Sequence, residues 1–469
     1  MRRRQFFRQS AMAAAATSLI MPFQGCNTSK SLNDLTGKGR KAKNIIFLVS
    51  DGMSQGTLTM ADLMLRRRDG KGSYWLDLYR NQRVTRALMD TASANSLVTD
   101  SAAASSAWGG GFRVKNGRLN LGDNNEQHMP ILQKFKKAGK KVGCVTTVPI
   151  THATPAGFCV VSKTRGEQDE IALQYKDLRF DVMMGGGAKY FIKRSDNRDL
   201  FEEFRNAGYH VVLDRLAMVG ADETKPVLGV FSDDGLPYEL DRLMDSASKY
   251  AVPSLAEMTA KAINLMKDHP KGFVMQVEGG KVDWAAHAND AAGILYDQIA
   301  FDEAVKVAVQ FAEQDKNTMV IITSDHGNAN PGLYKGKDAD KNFEKLFSFS
   351  ATNEAILSDI NRSFSVSDVI ELVKQKQHYT LTNAEAEEIL ASYISLNNEG
   401  TYNPYKLPYE RYGAIQAKHT SVSFGGTDHS ADFTELAIFG PGSERLKPFV
   451  LNTDLHYLML EVAEVQNNF

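Results

Sequence analysis

Cysteine is almost missing from this chain. The 469 residues contain only Cys26, Cys144 and Cys159, so no disulfide framework supports the fold. Cys144 and Cys159 are free either to pair or to stay as buried thiols. Charge of one sign is also lacking: 55 basic residues meet 56 acidic ones, a net charge of -1. That balance argues against gripping nucleic acid by bulk electrostatics. Nor is there an apolar run of the roughly 20 residues that a bilayer span needs, and a nucleotide-type Gly-rich loop with Lys-Ser/Thr is absent. What remains is 43% hydrophobic residues in a long chain, enough for one large α/β domain or two smaller ones.

The N-terminus reads as a targeting segment. Arg2-Arg3-Arg4-Gln5-Phe6-Phe7 followed by the weakly polar run 11–23 has the pattern of a twin-arginine export signal. Gly25-Cys26 closes that run in the manner of a lipoprotein cleavage site, which would make Cys26 a lipidated first residue; the alternative is plain secretion. The expectation is an export signal over 1–26, a polar tether over 27–42 and a folded domain over 43–469. The expected location is the periplasm, or a membrane to which the lipoprotein is anchored.

Four continuous apolar runs, at 44–50, 141–147, 272–277 and 318–323, suit strands buried on both faces. Helical patterns at 254–267 and 291–312 lie between them. Such alternation predicts an α/β fold in three layers, a mostly parallel central sheet covered by helices on both faces. The segment from about 342 to 418 interrupts the alternation. It contains helical sequence at 367–377 and a capping box at Thr382-Asn383-Ala384-Glu385. At this length it reads as an inserted subdomain rather than a loop.

Chemistry gathers at the strand ends. Asp51, Glu278, Asp325 and His326 follow or finish apolar runs, the edge where open α/β sheets bind ligands. Asp283 and His287 stand four apart, one helical turn, and so share a face. His429 precedes a last strand near 435–440. Carboxylates and imidazoles without thiolate suit zinc or a similar hydrolytic metal. Ser101 opens the Ala-rich run Ser101-Ala102-Ala103-Ala104, where a helix N-terminus would favour an anion and small neighbours would leave the hydroxyl open.

Seven pieces follow one another along the chain: Asp51-Gly52-Met53, Val98-Thr99-Asp100-Ser101-Ala102-Ala103, His152-Ala153-Thr154-Pro155-Ala156, Gly185-Gly186-Gly187, the run from Gln276 through Asp283, Asp325-His326 and His429. In these pieces and their order the chain resembles the alkaline phosphatases, metal-dependent phosphomonoesterases. The resemblance implies two zinc ions and one magnesium. Asp283, His287 and His429 would hold the first zinc; Asp51, Asp325, His326 and the Ser101 oxygen the second; Asp51, Thr154 and Glu278 the magnesium. Ser101 would be the nucleophile that becomes phosphorylated, and Arg165 the clamp on phosphate.

Two positions depart from the familiar bacterial pattern. His152 stands where many bacterial members have Asp, and Trp284 where they have Lys. Both are expected near substrate, as tuners rather than ligands. His419, in Lys418-His419-Thr420, competes with His429 as a ligand, and His429 is preferred because the closing strand follows it. Gly185-Gly186-Gly187 reads as a structural turn.

The implied partners are phosphate monoester substrates and a second copy of the chain, with membrane anchorage through Cys26 and no nucleic-acid partner. Alternatives are a phosphodiesterase or sulfatase of the same superfamily, and a phosphate-binding surface lipoprotein without turnover.

Overall fold

The first strand sets the architecture. Asn44–Ser50 is buried along its whole length, and its side chains alternate between two cores. Ile45, Phe47 and Val49 enter one; Ile46 and Leu48 enter the other. A strand with both faces apolar needs cover on both sides. In the computed structural model, which describes residues 40–393 and 407–467, helices supply it.

Fourteen strands are described. They are β1 (Asn44–Ser50), β2 (Thr85–Asp90), β3 (Lys141–Pro149), β4 (Val182–Gly186), β5 (His210–Val212), β6 (Val227–Val230) and β7 (Phe273–Gly279). Then come β8 (Thr318–Thr323), β9 (Gly327–Asn328), β10 (Gly332–Leu333), β11 (Val422–Ser423), β12 (His429–Ser430), β13 (Thr434–Phe439) and β14 (Phe449–Leu451). Ten form one sheet in the order β14-β2-β13-β8-β1-β7-β3-β4-β6-β5. Among the described residues β13 alone runs antiparallel in that sheet, between β2 and β8.

The parallel centre β8-β1-β7-β3 brings the C-terminal ends of four strands to one edge. Val49 is level with Glu278 on one side and with Thr323 on the other. Asp51 and Asp325, each two residues beyond that register, therefore emerge side by side next to Glu278. Two short ribbons finish the edge. β12 pairs with β9, setting His429 opposite Asn328, and β10 pairs with β11.

The described part of segment 342–418 is helical, with helices at Asn353–Asp359, Val366–Gln377, Asn383–Leu390 and Tyr409–Thr420. Ser365 and Thr382 each close a capping box. Its apolar residues pack with Met60 and Met64 of helix Gln55–Asp69 and with Leu295 and Tyr296 of helix Ala291–Asp315, forming a third core.

Sequence and structure differ at the tether. Ala42 is buried and its N–H donates to Val462 O at 2.9 Å, so the packed chain begins before residue 43. The export signal, Cys26 and most of the tether lie outside the described residues. Among those described, no helix is long and apolar enough to cross a membrane.

Candidate active site

Asp100 caps the helix Ser101–Gly110 by accepting from Ala103 N at 2.9 Å. Ser101 thus sits at the first turn, where backbone N–H groups are unpaired and the helix dipole is positive. The serine is 1% exposed, not open as its small neighbours suggest. Its Oγ lies 3.2 Å from His326 Nε2, because the chain after β8 turns over it. The alanines serve packing. Ala102, Ala103, Ala104 and Ala107 are buried in a close approach to helix Ala153–Cys159, where a methyl on Gly157 would meet Ser105 Oγ at 2.0 Å.

Three groups of side chains converge with ligand atoms within 4.8 Å of one another: Asp283, His287 and His429; Asp51, Asp325 and His326; Asp51, His152 and Glu278. Helix Lys281–His287 carries Asp283 and His287, and their one-turn spacing puts His287 Nε2 3.4 Å from Asp283 Oδ2. The β12 ribbon brings His429 Nε2 within 3.6 Å of Asp283 Oδ1 and 3.2 Å of His287 Nε2. His326 Nε2 lies 3.1 Å from Asp325 Oδ2 and 3.6 Å from Asp51 Oδ1. Asp51 belongs to two groups, and its Oδ2 accepts from Thr154 Oγ1 at 3.1 Å.

The outer contacts fix how these side chains face. His287 Nδ1 donates to Thr427 O at 2.6 Å, and His429 Nδ1 to Thr99 O at 2.9 Å. Each carbonyl selects the tautomer whose Nε2 lone pair points into the group. Gly52 N donates to Asp325 Oδ1 at 2.9 Å. Asn328 Nδ2 donates to Asp283 Oδ1 at 2.7 Å, and the Thr146 hydroxyl donates to Glu278. Sequence reading missed both of these donors. Asn328 lies two residues past His326 and Thr146 at the end of β3, but only the fold shows what each touches.

The electrostatics call for cations. Asp51, Glu278, Asp283 and Asp325 are all buried. Burial pushes Asp51 up, reinforced by Asp325, Asp283 and Glu278, and pushes Glu278 up to about 7. Burial also works against Asp283, but the imidazoles of His287, His429 and His326 hold it below the ordinary carboxylate range. His287 is raised to about 9 against the pull of burial by Asp283. Burial and the neighbouring His326 lower His429 to about 4.

Asp51 Oδ1, Glu278 Oε1 and Asp325 Oδ2 are buried without a hydrogen-bond partner. An uncompensated buried carboxylate costs several kcal/mol, and divalent ions with oxygen and imidazole ligands would satisfy these atoms. The donor set therefore fits metal.

Arg165 reaches Asp100, the residue before Ser101. One nitrogen of its guanidinium lies 3.2 Å from Asp100 Oδ2 and another 3.0 Å from His152 Nε2. Burial and Arg165 lower His152 to about 3, leaving it neutral. The sequence reading kept His152 outside the ligand set; the fold brings one of its ring nitrogens into the group with Asp51 and Glu278. Trp284 lies outside all three groups, edge-on to His152 at 6.1 Å and 4.5 Å from Lys281 Nζ. His419 lies apart, stacked on Tyr379 and 3.6 Å from Glu385. Gly185 and Gly186 end β4, where a methyl on Gly186 would strike Asp234 O at 2.0 Å, and Gly187 turns with φ +101°.

Known proteins resemble this chain in sequence and fold. The family model described as alkaline phosphatase matches residues 42–465. Alkaline phosphatase 4 of Bacillus subtilis is 29% identical over 474 residues, covering 98% of each chain. The alkaline phosphatase of Escherichia coli K12 is 31% identical over 62% of this chain and 71% of its own. The crystal structure of Thermus thermophilus alkaline phosphatase superposes with a TM-score of 0.85 at 30% identity, covering 96% of both chains. With strand-end carboxylates, facing imidazoles and a buried serine on one sheet edge, the chain belongs to the alkaline phosphatase family and is a phosphomonoester hydrolase.

Proposed function

We propose that the chain hydrolyses phosphate monoesters through a phosphoserine on Ser101, at a site that holds two zinc ions and one magnesium. The observation that carries this reading is the place of Ser101 Oγ, 3.2 Å from His326 in a group that shares Asp51 with a third set of ligands. Asp283, His287 and His429 would form one zinc site, and Asp51, Asp325, His326 and Ser101 the other. Asp51, Thr154 and Glu278 would hold magnesium, with His152 beside them. Divalent ions bound there supply the positive charge that stabilises a serine alkoxide and a leaving oxygen.

The chain's own residues do the rest. The free N–H groups at the start of helix Ser101–Gly110 favour an anionic phosphoryl group. Arg165 offers a planar fork for two of its oxygens, and Asp100 and His152 hold that fork in place. Ser101 Oγ attacks phosphorus in line with the departing alcohol. Water then hydrolyses the phosphoserine and releases phosphate. We read the enzyme as exported, anchored through Cys26 and dimeric.

The test is Ser101→Ala assayed on p-nitrophenyl phosphate and bis-p-nitrophenyl phosphate, with metal content measured on both proteins. The expected result is monoester turnover that disappears in the variant, about two zinc ions per chain and a phosphoserine trapped at residue 101 in the wild type. Preference for the diester, or phosphate binding without turnover, overturns the proposal.

A further inference from the structure

The sheet edge opposite the active site has the reverse charge. On β1, β7 and β8 the C-terminal ends carry Asp51, Glu278 and Asp325. At the N-terminal ends of β1, β3, β7 and β8, four neighbouring strands, stand Lys43, Lys141, Lys271 and Lys316. Each lies within two residues of its strand's first position. Lys140 binds this row together, its Nζ donating to Lys43 O at 2.7 Å and Lys271 O at 2.8 Å. A cleft of about 420 Å³ opens between Lys140 and Lys271, bordered also by residues 463–466.

Positive charge predominates at this edge, where Lys43, Lys267, Lys271 and Lys316 are exposed. Of the carboxylates near them, Asp181 pairs with Lys136 and Glu464 with Lys41; Asp315 accepts only from the uncharged Asn44 and Thr318, and Asp268 is exposed, so two carboxylates face four exposed lysines. Lys137, Lys267 and Lys316 stand at helix C-termini, where a cation is favoured by the dipole. Lys43 and Lys271 end no helix, so dipole complementarity does not account for the row.

We propose that this lysine edge is a docking surface for an anionic lipid bilayer, on which the enzyme rests with its catalytic edge turned away. Clustered lysines are drawn to such a surface by its negative potential, and their contributions add. The packed chain also enters at this edge, through Lys41 and Ala42. Cys26 lies 15 residues before Lys41, at most about 50 Å of extended chain. β1 separates the two edges by about 20 Å. The binding itself is independent of the lipid anchor; the orientation draws on the reading of Cys26 as its attachment point.

The experiment uses the full chain carrying Cys26→Ser, which removes lipid attachment. It is co-sedimented with phosphatidylglycerol-containing vesicles and with pure phosphatidylcholine vesicles. The expected result is selective binding to the anionic vesicles that falls as salt is raised. Lys43→Glu with Lys267→Glu, Lys271→Glu and Lys316→Glu should lower that partition at least about tenfold and leave p-nitrophenyl phosphate turnover unchanged. Lys43→Gln with Lys271→Gln should fall between, which guards against misfolding of the fourfold variant. Equal binding to neutral vesicles, no loss in either variant, or binding to heparin but not to vesicles overturns the proposal. Loss of turnover in Ser101→Ala is read separately, so the two claims fail independently.

Discussion

The α-carbon of Gly52 packs directly against the carboxylate of Asp283. A methyl group on Gly52 would lie 2.4 Å from Asp283 Oδ1, and Gly52 has φ +64°. One residue thus serves two groups, since the turn that delivers Asp51 leaves room for Asp283. Gly52→Ala should cost about 1–2 kcal/mol for its left-handed backbone and displace Asp283 as well. The expected outcome is a lower melting temperature by calorimetry, and loss of zinc from the Asp283 group on dialysis. Full metal content in the variant would contradict it.

This relationship also marks the limit of what the sequence discloses. Strands β1, β3, β7 and β8 were legible because a strand buried on both faces writes a continuous apolar run. β2 was not: Thr85–Asp90 is half exposed, and its short alternation resembles any surface segment. β5 and β14 are three residues each, too short to carry a period. The strand-end carboxylates and the Asp283–His287 spacing were readable because their geometry is local. The burial of Ser101 and the donor role of Asn328 were not, since each arises from residues brought together by the sheet. The closeness of a His152 ring nitrogen to Asp51 and Glu278 was not readable for the same reason, since it depends on where helix Ala153–Cys159 docks.

Protonation of His287 should compete with metal. Asp283 raises this imidazole from its ordinary value to about 9. A histidine whose folded value is raised stabilises the fold below the unfolded value of about 6.5, and that contribution is lost as pH rises to about 9. Metal binding needs the neutral ring. Enzyme stripped by chelator should therefore lose stability from this pair between pH 7 and 9, while zinc affinity rises over the same range. Calorimetry with and without zinc should show a larger zinc-induced rise in melting temperature at pH 9 than at pH 7. An equal rise at both would refute the coupling.

Arg165 is the group most exposed to a conservative error. Lysine can place one charge near phosphate but cannot reproduce a planar fork held between Asp100 and His152. Hydrogen bonds to charged groups contribute roughly 1.5–3 kcal/mol. Arg165→Lys should thus lower kcat/KM for p-nitrophenyl phosphate about tenfold or more, and weaken inhibition by inorganic phosphate in parallel. Metal content should stay unchanged, because Arg165 belongs to none of the ligand groups. Unaltered phosphate inhibition would remove the clamp from the mechanism.

Asn289 is a positioning residue for the first ligand group. It is buried just beyond helix Lys281–His287, in a left-handed conformation with φ +46°. Its Nδ2 donates to Gly426 O at 2.8 Å and to Ala286 O at 3.2 Å. Gly426 adjoins Thr427, whose carbonyl accepts from His287 Nδ1, and His429 follows two residues later. The side-chain amide therefore ties the helix bearing Asp283 and His287 to the loop that leads into His429. Asn289→Ala removes that tie and places a less tolerant residue at positive φ. Outer contacts of this kind change metal affinity about 10–100-fold when removed. A chelator-competition titration should find one zinc weakened by that factor and the other unchanged. With zinc in excess, kcat should recover to within a few-fold of wild type, because Ser101 and Arg165 are untouched. Equal weakening of both ions, accompanied by a lower melting temperature, would show that Asn289 supports the fold in general and not this ligand group.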